Sequence, residues 1–372
     1  MIPIANPDIG QAEHERVQEV LDSGMLADGP VVREFEDEFA DYCGVEHAVA
    51  TSNGTTALHT AFEALGIGDG DRVVTTPFSF IASANAIRLA GGEPVFADID
   101  PETYNLDPDA VEATIHECDG DVAAILAVHL YGLPADMARL RALADEYDVA
   151  LVEDAAQAHG ATVDGQRVGS IGDVACFSFY PTKNMTTGEG GMLTTDDEAI
   201  AERAKRFVNH GRTESYEHAE VGHNYRMTSI AGALGIAQLE KLPDYIEDRR
   251  ANAAALTDGL ADAGVQTPTA PDGRTHVYHQ YTVRAEDREA LTDRLDEHDV
   301  GYGVYYPIPI HEQPAYADVD ADAPAAERAA NEVLSLPVHP ELDDTDLAAI
   351  INAVAGESAA GAPIGATQEG DY

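Results

Sequence analysis

Residues 151–191 read LVEDAAQAHGATVDGQRVGSIGDVACFSFYPTKNMTTGEGG. An apolar run ends on the acidic pair Glu153 and Asp154. A second apolar run, residues 174–179, looks like a strand and leads through a proline turn to Lys183 and a glycine-rich close. Asp154 and Lys183 stand 29 positions apart, each just beyond an apolar run. If both runs are strands of one sheet, the pair would grip two ends of a single ligand.

Upstream, strand and helix patterns alternate for about a hundred residues. Strands are expected over 47–51, 72–75, 94–98, 122–129 and 149–152, and helices over 57–65, 81–89, 108–115 and 134–147. That alternation argues for an α/β fold, a mainly parallel sheet covered by helices on both faces. Ligands of such sheets bind beyond the carboxyl ends of the strands. Ser52 to Thr56, Phe80, His129 and Asp154 fall at such ends. The turn Ser52-Asn53-Gly54-Thr55-Thr56 between a strand and a helix is a ready anion site, because first-turn N–H groups and the helix dipole face the ligand. It is neither a Walker loop nor a GxGxxG fingerprint, and an ordinary helix cap explains it equally well.

Before this region come an extended arm over 1–10 and helices over 11–23 and 31–42. After it come strands over 174–179 and 192–195 and a helix over 197–209. Further helices are expected over 229–239 and 244–260, broken at Pro243. Strands over 278–284 and 302–305 and helices over 288–297, 325–334 and 345–355 complete the pattern. We expect a large domain over 1–242, a small C-terminal α+β domain over 243–355, and a disordered Gly/Ala-rich tail over 356–372.

The 372 residues carry 68 acidic and 21 basic side chains, a formal net charge of −47, with 44% hydrophobic residues. Such a surface excludes nucleic acid as a partner. The regular apolar pattern argues against a disordered acidic protein. A folded protein adapted to molar salt remains, where the Debye length is about 3 Å; a halophilic, archaeal source is expected. No run reaches the ~18 apolar residues of a membrane span, and the N-terminus lacks a secretory pattern. Cys43, Cys118 and Cys176 form no CxxC pair. A cytoplasmic protein without a metal site is expected, with Cys176 a buried thiol.

Only three residues are lysine. Lys205 has a helical pattern with solvent-facing charge, and Lys241 sits near an expected helix end, where the dipole favours a cation. Lys183 has neither excuse. A lysine amine, a carboxylate, a helix N-terminus with hydroxyls and a flat aromatic partner are what pyridoxal phosphate requires. Lys183, Asp154, Gly54 to Thr56 and Phe80 would meet these needs in turn. Each has a plainer reading: Asp154 as a cap, Phe80 as core, Lys183 as a surface lysine. Their coincidence at one sheet edge favours the joint one.

The segments SNGTTALHTAF, TPFSFIASANAI, VHLYG, VEDAAQAHGA, FSFYPTKNMTTGEGGML and GHNYRMTSIAGALG occur in this order over residues 52–235. In them the chain resembles the DegT/DnrJ/EryC1/StrS family of pyridoxal-phosphate sugar aminotransferases, across about residues 5–355. The resemblance implies the aspartate-aminotransferase-like fold (type I), with a seven-stranded sheet. It implies that Lys183 bonds the cofactor's aldehyde and then moves protons, and that Asp154 pairs with the ring nitrogen. Gln157 would contact the ring's hydroxyl side, Phe80 would stack on it, and Thr55, Thr56 and Ser178 would hold the phosphate. Asn224 would reach that phosphate from a neighbouring subunit, making a homodimer with shared sites. His159 matches a position close to the cofactor. His129 reads as a core histidine, or one supporting the site from behind.

The implied reaction is ping-pong transfer of an amino group from an amino acid, L-glutamate by expectation, to a nucleotide-linked keto-sugar. Arg212 and Arg226 are candidates for the diphosphate or the donor carboxylate, and Tyr305, Tyr306 and His311 for the sugar pocket. Two alternatives stay open. One is a sugar dehydratase of the same superfamily, which Lys183 disfavours because those members carry histidine there. The other is a non-catalytic regulator retaining the fold.

Overall fold

The computed structural model describes residues 1–356 apart from Ser215. The tail expected to be disordered lies, beyond Gly356, outside the described residues. In chain order come α1 (Gln11–Ser23), α2 (Pro30–Cys43), β1 (His47–Thr51), α3 (Gly54–Leu65), β2 (Arg72–Thr75), α4 (Ala82–Leu89) and β3 (Glu93–Phe96). There follow α5 (Pro108–Glu117), β4 (Ala124–Val128), α6 (Met137–Tyr147), β5 (Ala150–Asp154), the short strands β6 (Thr162–Val163) and β7 (Gln166–Arg167), β8 (Val174–Ser178) and β9 (Gly191–Thr195). Next are α7 (Glu198–Phe207), β10 (Arg212–Glu214), β11 (Glu217–His218), α8 (Ser229–Gly259), β12 (Arg274–Thr275) and β13 (Tyr281–Arg284). The last elements are α9 (Arg288–Glu297), α10 (Pro324–Glu332), β14 (Val333–Leu336) and α11 (Asp344–Ala355).

Seven strands form one sheet in the order β1-β9-β8-β5-β4-β2-β3. The pairs β2/β3, β2/β4, β4/β5 and β5/β8 are parallel, whereas β9 runs antiparallel to both β8 and β1. One reversed strand thus leaves β1, β2, β4, β5 and β8 ending at the same edge. Side-chain alternation feeds both faces. Val174 and Cys176 of β8 pack with Leu58 and Phe62 of α3, and Ala175 and Phe177 with Phe35 and Phe39 of α2 and Ile236 of α8. The Phe39 and Phe177 rings meet edge to face at 4.9 Å, a favoured aromatic geometry. Burial of Cys176 in this core matches the expectation for that thiol.

A second core joins Leu256 of α8 and Leu260 just past its end to β13, α9, β14 and α11. Its two strands pair antiparallel from Tyr281↔Leu336 to Arg284↔Val333.

Three expectations need correction. Helix α8 is continuous over 31 residues with Pro243 inside it. Proline forfeits one helical hydrogen bond at a cost of about 3 kcal/mol; here Leu242 is sealed in one core and Leu256 in the other, and packing at both ends outweighs that cost. Residues 302–305 form no ladder beyond the single bridge Gly303↔Ser335. The helix expected to reach 334 ends at Glu332, and residues 333–336 are strand β14.

Candidate active site

Helix α3 begins at Gly54, three residues earlier than its apolar periodicity suggests. Asn53 caps it: its side chain accepts from Thr56 N–H at 3.0 Å, while Asn53 N–H donates to Thr56 Oγ1 at 3.1 Å. Helix geometry leaves the Gly54 and Thr55 N–H groups without intrahelical acceptors, so they face outward as anion donors. A Cβ on Gly54 would lie 2.7 Å from Ser178 Cβ. The absence of a side chain at Gly54 therefore lets the Ser178 hydroxyl at the end of β8 sit against the helix start.

Beyond β8 the chain turns, with Lys183 N–H donating to Tyr180 O across Pro181 at 2.9 Å. The loop is held on every side: Asn184 Nδ2 donates to Val277 O (3.1 Å), Thr186 Oγ1 to Phe179 O (2.8 Å) and Thr187 N–H to Phe179 O (3.0 Å). Lys183 is half-buried by area, yet its amine is enclosed densely enough that burial pulls its pKa to about 8, against the upward pull of the Asp154 charge. Asp154, at the end of β5, is buried. Its Oδ2 accepts from Ser83 Oγ (2.7 Å) and its Oδ1 from Ala156 N–H (3.2 Å). Burial raises the Asp154 pKa, and the Ser83 bond is the largest opposing influence.

Behind Asp154 lies a fully buried pair. Ala135 N–H donates to His129 Nδ1 (3.1 Å), so the neutral ring carries its proton on Nε2, which meets Glu153 Oε2 at 2.9 Å. Glu153 also accepts from Gly169, Ile171 and Gly172 N–H groups at 3.1, 2.9 and 2.8 Å. Burial raises its pKa, but the His129 bond, and after it the Gly172 and Gly169 N–H groups, hold it below the usual carboxylate value. His129 therefore supports the strand ends and does not line the cavity.

The cavity has a volume of ≈ 690 Å³, within the range of small-molecule sites. It brings together Gly54, Thr55, Thr56, Phe80, Asp154, Gln157, Ser178, Lys183, Tyr305 and Tyr306. Phe80 is 59% exposed, a large aromatic left uncovered at the cavity wall. Gln157 is held from both ends, Oε1 accepting from Tyr131 N–H (2.7 Å) and Nε2 donating to Tyr306 Oη (2.8 Å). Tyr306 sits at φ +58°, where non-glycine residues are uncommon and strain often marks function. Because its oxygen accepts from Gln157, its own proton is left for another acceptor.

Other candidates lie elsewhere. His159 is buried against Phe177 and Phe179, with neither ring nitrogen partnered and its pKa pulled to about 3, first by burial and then by Lys183. His311 pairs with Glu327 at 3.3 Å and is not among the lining residues; with Glu312 they place ligand-capable atoms within 4.8 Å of one another. Arg212 and Arg226 line a separate recess of ≈ 400 Å³ with Arg33, Lys205 and Arg206. Asn224 is exposed and pairs with Asn209, outside the cavity. Sequence reasoning missed Ser79, Ser83, His279 and Gln280, which do line it. A serine in an apolar helix start carries no pattern that marks it.

The residues present fit pyridoxal phosphate. Gly54 makes room for a phosphate between α3 and Ser178, Asp154 offers a buried carboxylate, and Lys183 offers an amine able to be neutral near pH 8.

Comparison with known proteins follows the same line. The family model described as the DegT/DnrJ/EryC1/StrS aminotransferase family matches residues 7–355. The UDP-2-acetamido-2-deoxy-3-oxo-D-glucuronate aminotransferase of Pseudomonas aeruginosa is 39% identical over 339 residues, 91% of this chain and 94% of the relative. A Geobacillus stearothermophilus relative named as a pleiotropic regulatory protein is 41% identical over 346 residues, covering 91% and 92%. The crystal structure of Streptomyces venezuelae DesV with a ketimine intermediate superimposes with a TM-score of 0.89 at 40% identity, covering 92% of this chain and 93% of that one.

Proposed function

The chain belongs to the DegT/DnrJ/EryC1/StrS aminotransferase family, whose cofactor is pyridoxal 5′-phosphate, and we propose that it moves an amino group from L-glutamate to a nucleotide-linked keto-sugar. The observation that carries this reading is that Lys183, Asp154 and the α3 N-terminus face one cavity. When bound, the cofactor supplies an electron sink that makes the hydrogen beside the amine acidic. The chain supplies the rest. The α3 N–H groups, Thr55, Thr56 and Ser178 would hold the phosphate, Phe80 would cover the ring face and Gln157 would face the ring hydroxyl. Lys183 Nζ would hold the aldehyde and, once released by the substrate amine, would carry the proton away from the amine-bearing carbon to the cofactor side, a role worth roughly 10²–10⁴-fold.

Charge supports a homodimer with shared sites. Among the described residues, Lys183 is the only lysine or arginine lining the cavity, whereas five, Arg33, Lys205, Arg206, Arg212 and Arg226, line the separate recess. A cofactor phosphate, a donor carboxylate and a sugar diphosphate all need cations or donors. A second copy bringing Asn224, Arg212 and Arg226 to the cavity would provide them. His159, buried against Phe177 and Phe179, would stand close to the cofactor, and Tyr306 in the cavity wall would face the sugar. The setting is the cytoplasm, where the buried thiols Cys43 and Cys176 stay reduced.

The decisive experiment loads the protein with cofactor, adds L-glutamate and a panel of nucleotide keto-sugars, and follows 2-oxoglutarate. Turnover on at least one sugar, lost together with the visible absorbance band in Lys183→Ala, is expected; an intact protein without that band sinks the reading. Mixing inactive Lys183→Ala and Asn224→Ala proteins tests the shared site. Hybrid dimers carry one intact site, so about a quarter of wild-type activity should return, and none should if Asn224 serves its own chain. The name of the Geobacillus relative favours a second reading, a regulatory role, yet a regulator has no need of Lys183 for proton transfer. A dehydratase is disfavoured by the same lysine.

A further inference from the structure

Two serines stand behind Asp154. Ser83, in the first turn of α4, donates Oγ–H to Asp154 Oδ2 at 2.7 Å, and Ser79 Oγ lies 3.0 Å from Ser83 Oγ. Both are buried, 4% and 1% exposed for Ser79 and Ser83, and both line the cavity that holds Lys183. The proton positions follow from valence. An ionised carboxylate only accepts, so the single Ser83 proton goes to Asp154. Ser83 then has only lone pairs to offer Ser79, and Ser79 donates. The chain of protons runs one way, Ser79 to Ser83 to Asp154.

We propose that Ser83, oriented by Ser79, is the positioning residue that keeps Asp154 an anion, and so keeps a proton on a ring nitrogen resting against it; this rests on the pyridoxal-phosphate reading above. The Asp154 carboxylate is buried, which by itself favours the neutral acid. A neutral acid facing the ring would leave the nitrogen unprotonated and the electron sink weak. A short hydrogen bond from a neutral hydroxyl to a carboxylate is charge-assisted and favours the anion. Ala156 N–H on Oδ1 is longer and fixes the carboxylate plane. Ser83 leaves the remaining lone pairs of the carboxylate open toward the cavity. The other titratable groups that bear on Asp154 are Lys183, His129, Tyr306 and Cys176. Of these, only Lys183 brings a positive charge, because the His129 ring accepts at Nδ1 and is neutral.

The test uses Ser83→Ala, Ser83→Thr and Ser79→Ala in the full-length protein. In the cofactor-loaded form, the ¹⁵N shift of labelled ring nitrogen reads its protonation directly. Ser83→Ala should move it toward the unprotonated value and lower kcat roughly tenfold or more with little change in KM, as expected for a hydrogen bond to a charged group. Ser83→Thr keeps the hydroxyl and should restore both. Ser79→Ala should give a smaller shift of the same sign. In the cofactor-free form, the ¹³C titration of the Asp154 carboxyl should move upward in Ser83→Ala and return in Ser83→Thr. Unchanged ¹⁵N and ¹³C signals in a folded Ser83→Ala protein would overturn the proposal, and so would a threonine variant that behaves like alanine. If the protein binds no pyridoxal phosphate but the ¹³C shift appears, the cofactor reading fails while the control of Asp154 by Ser83 stands.

Discussion

Lys183 owes its chemistry to its surroundings. An ordinary lysine has a pKa near 10.5; burial brings this one to about 8. At pH 7 about one amine in ten is then neutral, against fewer than one in a thousand for a free lysine. Since only the neutral amine attacks an aldehyde, capture of pyridoxal phosphate by the cofactor-free protein should quicken about tenfold per pH unit below 8 and level off above it. Stopped-flow absorbance measures this, and a profile still climbing at pH 10 would contradict the burial argument. Asp154→Asn removes the charge that pulls the amine upward, so the break should move to lower pH. At this scale the sequence was readable where chemistry is rare. With three lysines in the chain, Lys183 stood out. Ser83 did not, because a hydroxyl among alanines looks like helix filler until a carboxylate is seen 2.7 Å away. Lys241 was misread for a related reason. It lies mid-helix in α8, and its Nζ is 3.0 Å from Asp8 Oδ2 and 2.9 Å from Glu13 Oε1. That contact spans more than two hundred residues and leaves no local pattern.

Elements are positioned here by polar hubs as much as by apolar faces. Glu153 ties β5 to the turn at 169–172 and to the end of β4, with four donors on one carboxylate. The two halves of the buried pair are therefore unequal. Removing His129 leaves the Ala135 N–H without its acceptor but leaves Glu153 three backbone donors. Removing Glu153 strands four donors in the interior. Glu153→Ala should cost roughly 3 kcal/mol or more and His129→Ala distinctly less, as chemical denaturation would report; equal losses would mean that the backbone bonds contribute nothing. A second hub fixes the N-terminal arm, where Tyr245 Oη also donates to Asp8 at 2.7 Å and Gln238 Nε2 to Glu13 at 2.7 Å. Lys241→Met leaves the buried Glu13 carboxylate short of its cation, so limited proteolysis within residues 1–10 should accelerate several-fold. Unchanged cleavage would show that the arm is held by other contacts. Strands and helices of the large sheet were legible because each strand is a short apolar run closed by turn residues. Strand β14 was not: its residues VLSL continue the apolar spacing of α10, and only pairing with β13 makes them extended. Pro243 misled in the opposite direction, since its local penalty is real and two cores override it.

The whole molecule carries a charge that its fold does not explain. With 68 acidic residues against 21 basic ones, most carboxylates have no cation to pair with. Five of the 21 basic side chains line the recess with Arg226, and others, such as Arg88 and Arg139, pair singly with surface carboxylates. The remaining unpaired carboxylates repel one another. Exposed like charges interact over a distance set by the Debye length, about 10 Å at 0.1 M salt and about 3 Å at 1 M. The same fold should therefore be weaker in dilute buffer than in molar salt. Because a chain this long gains only about 1–2 °C in Tm per kcal/mol, a rise of several degrees between 0.1 and 2 M KCl would report a substantial release of repulsion. Salt also strengthens apolar burial, so the comparison needs a variant. Glu15 and Glu19 on α1 and Asp37 and Asp41 on α2 are exposed. Replacing these four with glutamine and asparagine should raise Tm in 0.1 M KCl and leave it nearly unchanged in 2 M, where screening has already removed their mutual repulsion. If the variant and the parent respond to salt with the same slope, the stabilisation comes from burial and the acidic surface is there for solubility alone.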